Sequence, residues 1–329
     1  VSKKCLLLTG LLLTVGLLPG QQRLTSQARP PIALRPELSV SFFGNMSYGS
    51  DQLQSFDLFV PNSSKQLPLV IFIHGGGFEG GDKSDLYGQD WGVNLINALL
   101  SEGIAFASVN YRLLAVGDTT GVLKSMGDAR YCLQYIRQHA AYFNIDKERV
   151  ALYGSSAGAG TSLWIGLQAD MKDEASADPV AHESTRVSAI AVYATQATYD
   201  LLDWNEVFKR ERFKTKHLYA LVGADRIAAF YGSSLPVSLK APAIARYRER
   251  VDMLAMLSSD DPPLWIDNPL PSRGLPKDQD ALFHHYRHGQ ALLRRATAVG
   301  VPCFARLPAA RYTSPGWPEL LVFFQKYLQ

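Results

Sequence analysis

The run Leu67–Gly77, LPLVIFIHGGG, limits the fold more than any other stretch of the chain. Its first seven residues carry no charge and are rich in β-branched side chains, which suits a strand buried on both faces; a half-exposed strand would alternate apolar with polar positions. A strand covered on both sides needs helices above and below the sheet. The same kind of run returns at 103–113 (GIAFASVNYRL), 149–153 (RVALY), 187–196 (VSAIAVYATQ), 262–266 (PPLWI) and 301–307 (VPCFARL). Between these lie segments with helical spacing at 90–100, 121–143, 157–168, 279–299 and 316–328. Alternation of this kind predicts an α/β fold with a mainly parallel central sheet flanked by helices. LSVSFFGNMSYG (38–49) and QLQSFDLFV (52–60) read as edge strands joined by a turn.

Residues of about 197–262 interrupt the rhythm. They are aromatic-rich and mostly helical in pattern, with HLYALVG (217–223) the only stretch there of strand character. We read them as an insertion over one end of the sheet, inside a single domain spanning 29–329. Ahead of that domain, Lys3 and Lys4 precede an apolar run from Cys5 to Leu18, shorter than the roughly 20 residues of a membrane span. With Ser26 and Ala28 placed for cleavage before Arg29, and Gly20 as an alternative point, residues 1–28 read as a signal peptide, and the expected location is secreted or periplasmic, with no stable membrane span once the leader is removed. Cys5 leaves with it. Cys132 and Cys303 are too few for a disulfide framework and fit free thiols as well as a bridge.

The formal net charge of +3 is small and dispersed, which argues against a nucleic-acid partner. No CxxC or HExxH pattern makes a case for a structural zinc, and no cofactor is called for.

Two short glycine motifs carry the chemistry. Gly154-Ser155-Ser156-Ala157-Gly158 fits G-x-S-x-G only with Ser156 at its centre, and it follows a strand and opens a helix. Glycines there allow a sharp turn that lifts the Ser156 hydroxyl above the sheet, and the N–H of Ala157 at the helix start can face a developing oxyanion. His74-Gly75-Gly76-Gly77-Phe78 ends a strand about 80 residues earlier, where a second set of oxyanion donors belongs. On these two motifs the chain resembles the α/β-hydrolase family, in its hormone-sensitive-lipase-like and carboxylesterase branch, from about Leu53 to the C-terminus. The resemblance implies Ser156 as nucleophile, the N–H groups of Gly76, Gly77 and Ala157 as oxyanion hole, a structural role for His74, and a small-molecule ester as substrate.

The resemblance also implies a catalytic histidine in the loop after the last strand. That loop, 308–316 (PAARYTSPG), holds none, and no histidine follows His288. Reacting groups in this architecture lie at the carboxyl end of the parallel strands. His139 and His182 precede strands and fall at the opposite edge, whereas His217 in the insertion and His284, His285 and His288 after PPLWI can reach the correct one. On a continuous helix 279–299, His285 falls on the buried face, and Asp280, His284 and His288 form a stripe whose plainer reading is a solvated surface. His284 is taken as the candidate base, with His285 as the alternative. For the acid, Asp267 directly follows its strand and is preferred over Asp278 and Asp280 in the longer loop; Asp260 and Asp261 precede the strand, at the wrong edge. The sequence therefore predicts an exported serine hydrolase cleaving carboxylic esters, and, because the late histidine is missing, it leaves open a catalytically impaired member of the fold that binds a ligand or partner. Its oligomeric state is not written in the sequence.

Overall fold

A computed structural model describes residues 29–115 and 117–329; the expected signal peptide, 1–28, lies outside the described residues. Among the described residues nine strands form one sheet: β1 (Val40–Ser47), β2 (Ser55–Pro61), β3 (Leu67–Ile73), β4 (Ala105–Val109), β5 (Ile145–Ser155), β6 (Ala189–Tyr193), β7 (Leu264–Asp267), β8 (Cys303–Leu307) and β9 (Tyr312–Thr313). Their spatial order is β1-β2-β4-β3-β5-β6-β7-β8-β9. Pairing from β4 through β3, β5, β6 and β7 to β8 is parallel, while β1, β2 and β9 add antiparallel edges.

The helices are α1 (Asp90–Ser101), α2 (Val122–Gln138), α3 (Ala140–Phe143), α4 (Ala157–Gly166), α5 (Trp204–Val207), α6 (Thr215–Val222), α7 (Ala224–Phe230), α8 (Pro242–Glu249), α9 (Met253–Met256), α10 (Gln279–Phe283), α11 (Tyr286–Val299) and α12 (Leu320–Leu328). β3 shows why the sheet needs both layers. Leu69, Ile71 and Ile73 point into a core shared with Met126, Leu133, Leu163 and Leu292 of α2, α4 and α11. Val70 and Phe72 point the other way, into a core with Ile96, Leu99, Phe323 and Phe324 of α1 and α12. All seven residues of β3 are buried, as a strand without alternation requires.

Two expectations need correction. HLYALVG is not a strand: residues 215–222 form α6, with Leu218 buried and Tyr219, Leu221 and Val222 packed against the core beside it. Nor is 279–299 one helix. It stops at Phe283 and restarts at Tyr286, with His285 in an extended conformation (φ −63°, ψ 139°). Between β6 and β7 the chain carries α5 to α9 and no strand. Cys132 and Cys303 are free thiols. Among the described residues, no helix is long and apolar enough to cross a membrane.

Candidate active site

Strand β5 ends at Ser155 and α4 begins at Ala157, so Ser156 alone makes the turn. It does so at φ 51°, ψ −113°, a left-handed backbone that a non-glycine residue adopts only when its surroundings enforce it. Two contacts do the enforcing. The Ser156 N–H donates to the Tyr193 carbonyl at 3.0 Å, and the Ser156 carbonyl accepts from Gly160 N–H at 3.1 Å. The flanking glycines are steric necessities: a Cβ on Gly154 would overlap the Gly158 carbonyl, and one on Gly158 would overlap the carbonyl of Ile73 on β3. The motif therefore exists because helix α4 starts against the end of the neighbouring strand.

The glycine turn after β3 is built next to it. Gly76 and Gly77 have φ of 97° and 64°, and the Gly76 carbonyl closes the turn onto the N–H groups of Glu79 and Gly80. A Cβ on Gly75 would press on the Ser155 carbonyl at 3.0 Å, so the two turns touch. Gly77 and Ala157 line one cleft with Ser156; Gly76 stands one residue back. His74 is buried and stacked on Tyr111 at 4.2 Å, and burial lowers its pKa, which suits the structural role assigned to it. Below the turn, Lys83 and Asp57 form a buried ion pair at 3.0 Å, with the Tyr87 hydroxyl donating to the same carboxylate at 3.0 Å. Asp57 lies on β2, so this pair ties the glycine loop to the sheet.

The histidine that meets the serine is His284. Its Nε2 lies 2.8 Å from Ser156 Oγ, and its Nδ1 lies 2.7 Å from Asp280 Oδ1. A carboxylate only accepts, so Nδ1 carries the proton and Nε2 is left to accept from the serine hydroxyl. His284 reaches this position because the helix breaks there. The carbonyls at the break find side-chain donors: Leu282 meets His288 Nε2 (3.1 Å), Phe283 meets Gln196 Nε2 (2.9 Å), and His285 meets Asn268 Nδ2 (3.4 Å) beside the His288 N–H (3.1 Å). Asp278 caps the start of α10 through the Ala281 N–H, and His285 Nδ1 caps α11 through the Arg287 N–H. With these captures the peptide group finds partners at the break, and the ring of His284 swings off the helix face toward Ser156.

The other predicted residues sit elsewhere. Asp267, the preferred acid, is 2% exposed and held by Arg306, its direct cross-strand neighbour on β8, through Nε at 3.0 Å; the carboxylate on His284 is that of Asp280. A strand end does fix its side chain, as expected, but it fixes it onto the next strand. His285, the alternative base, is fully buried beside Phe208, and burial drives its pKa down to about 4. His288 is not on a solvated stripe: it is fully buried, accepts from Ala197 N–H at 3.2 Å, and has its pKa lowered to about 3 by burial. His217 accepts from Lys214 N–H in the first turn of α6. Asp260 and Asp261 pair with Arg186.

Around Ser156 the cleft is mainly apolar, with Phe78, Tyr199, Trp204, Ile227, Phe230 and Phe283 among its walls. Most of these come from the insertion, and Gln196 and Arg226 add polar groups to the wall beside Ser156. Arg226, Gln196 and Asn268 carry no mark in the sequence, where a lone arginine or amide fits no motif. Among the described residues, no cluster of His, Cys, Asp or Glu could hold a metal ion.

Comparison with known proteins agrees with this architecture. A truncated form of a carbohydrate esterase from gut microbiota superposes with a TM-score of 0.63 over 90% of this chain and 99% of that one, at 15% identity. An acetyl ester-xyloside bifunctional hydrolase from Caldicellulosiruptor lactoaceticus gives 0.53 over 77% of each chain, at 19% identity. In sequence, a probable isoprenylcysteine alpha-carbonyl methylesterase from Arabidopsis thaliana is 26% identical over 185 residues, 56% of this chain and 37% of the relative. Esterase B1 from Culex pipiens is 35% identical over 109 residues, 30% of this chain and 19% of that protein. The chain thus spans well under two thirds of the length of these curated relatives. The BD-FAE family model matches residues 56–239, which run from β2 through both glycine turns into the insertion. That match takes in more than half of the chain, and the protein belongs to the BD-FAE family, an α/β-hydrolase esterase family.

Proposed function

We propose that the protein hydrolyses carboxylic esters through an acyl-enzyme on Ser156. The observation that carries this reading is the chain of two hydrogen bonds from Ser156 Oγ to His284 and on to Asp280. In the forward half-reaction, Oγ attacks the ester carbonyl while His284 Nε2 takes the hydroxyl proton. The carbonyl oxygen becomes an oxyanion that the N–H groups of Ala157, Gly77 and Gly76 stabilise. Collapse of this tetrahedral species breaks the bond to the alkoxy oxygen, which leaves as alcohol with the proton returned by Nε2. Water then attacks the acyl-enzyme with His284 again as base, releasing the acid and restoring Ser156.

Asp280 holds the tautomer in which Nε2 is free to accept. Its side chain is 67% exposed, so water competes for the carboxylate and its hold on the imidazolium is weaker than that of a buried acid. The missing histidine after β8 was the ground for an impaired binder, and His284 supplies a base from the segment after β7 instead. The Lys3–Lys4 pair and the apolar run behind it support export as the setting of this activity; a secreted protein whose first residue lies near Arg29 is the expected product.

A fluorophosphonate probe tests the reading. Labelling of Ser156, located by peptide mass spectrometry and absent in Ser156→Ala, is expected; an unlabelled native protein overturns it.

A further inference from the structure

Arg226 on α7 occupies an unusual place, because its side chain lines two separate spaces. One is the apolar cleft beside Ser156. The other is an outer groove bordered by Leu114, Ala115, Ala229, Ser233 and Leu235. Its guanidinium is not loose. Nε donates to Glu79 Oε1 at 2.9 Å, three residues after Gly76 in the glycine turn. Nη1 donates to Gln279 Oε1 at the start of α10, and the group lies over the Phe283 ring at 5.3 Å. Gln279 is itself held, its Nε2 donating to the Leu221 carbonyl at 2.9 Å. Nη2 leans over Gly77, where a Cβ would come within 2.5 Å of it.

The planar fork is therefore pinned from two sides: by the glycine turn, through Glu79, and by the segment that carries His284, through Gln279 and Phe283. A long arginine side chain gives up rotamer freedom to be held in this way, and the fixed fork geometry limits that loss. So held, it forms a partition between the two spaces.

We propose that Arg226 sets the length of the apolar arm that an ester substrate can place beside Ser156, by walling the inner cleft from the outer groove. This rests on the esterase reading. An arm that outgrows the inner cleft must push a charge-paired guanidinium away from Glu79 and Gln279. With the side chain gone, the two spaces join, and each further methylene removed from water strengthens binding roughly fourfold.

The test is a ratio, which overall losses of activity leave unchanged. Values of kcat/KM are measured for p-nitrophenyl octanoate against butyrate, and for octyl against butyl acetate, so that the arm is probed on the acyl and the alcohol side. In Arg226→Ala, the long-to-short ratio is expected to rise at least tenfold in one of the two series. Adding Ala229→Trp, which fills the outer groove, is expected to cancel the rise. A ratio within twofold of the native one in both series, or a rise that survives Ala229→Trp, overturns the proposal. Should Arg226→Ala not fold, Arg226→Gln carries the same test with an expected rise of threefold or more, and an unchanged ratio counts against the wall. Thermal shifts with butyramide and octanamide ask the question without turnover: a gain confined to octanamide in the variant is expected, and equal response in native and variant overturns the wall. Failure of Ser156 labelling would strike the esterase reading alone, since these shifts need no reaction.

Discussion

The two halves of the site are held by different kinds of structure. The serine side is local: Gly154, Ser156 and Gly158 make one turn, Gly75 to Gly77 make another, and at Gly75, Gly76, Gly154 and Gly158 a Cβ would strike a backbone atom, while Gly77 needs its positive φ. The histidine side is non-local. His284 stands at a helix break whose carbonyls are captured by Gln196 after β6, Asn268 after β7 and His288 on α11. Local sterics leave a mark in the sequence that can be read directly, whereas a base placed by long-range capture leaves almost none.

Substitutions on the two sides should break this contrast in different ways. The largest effect is expected from Ser156→Ala, a loss of turnover on the order of 10⁴-fold or more with the fold intact. Steady-state hydrolysis of a p-nitrophenyl ester reads it, and near-native rates would remove Ser156 from the chemistry. On the same side, Gly158→Ala should fail as a folding defect rather than a chemical one. The added methyl meets the Ile73 carbonyl, and a loss of about 3 kcal/mol in urea unfolding is expected; unchanged stability would show that the turn can yield.

On the histidine side the effects should be graded. Asp280→Asn keeps the shape and removes the charge, and because this carboxylate is mostly exposed, a fall of roughly 10- to 100-fold in kcat is expected rather than the roughly 10⁴-fold seen when a buried acid is changed. A loss as large as that for Ser156→Ala would mean that the carboxylate is shielded when substrate is bound. Gentlest is a dependence of stability on pH. His285 and His288 stay neutral when folded, with pKa values lowered by burial to about 4 and about 3 from the 6.5 of the free side chain. The unfolded chain takes up these protons below pH 6.5 and the folded chain does not, so stability is full above pH 6.5 and is lost as pH falls toward 4. The slope is at most about 1.4 kcal/mol per pH unit for each histidine. Urea midpoints between pH 7 and 4.5 measure it, and His288→Phe should flatten the curve; an unmodified protein with no such slope would contradict the burial of both rings.

The same contrast governs how much could be read in advance. The uncharged run of β3 announced a parallel sheet covered on both faces, and G-S-S-A-G announced its turn, because burial and backbone sterics act residue by residue. Residues 279–299 misled for the opposite reason. Nothing in QDALFHHYRHGQ marks a break, since neither proline nor glycine stands at 284–285, and two of the partners that stabilise it, Asn268 and Gln196, come from 17 and 87 residues away. The spacing of Asp280 and His284 was visible, yet i,i+4 neighbours on a helix are ordinary. Asp267 drew attention for standing at a strand end, while its neighbour Arg306 becomes visible only once β7 and β8 are in register.

The central claim is that His284, after β7, serves as the base that this family resemblance places after the last strand. The kcat/KM for p-nitrophenyl acetate of His284→Gln, compared with the native protein at pH 7.5, tests it most directly. A fall of about 10³-fold or more with an unchanged urea midpoint is predicted. A variant that turns over within tenfold of the native protein would contradict it.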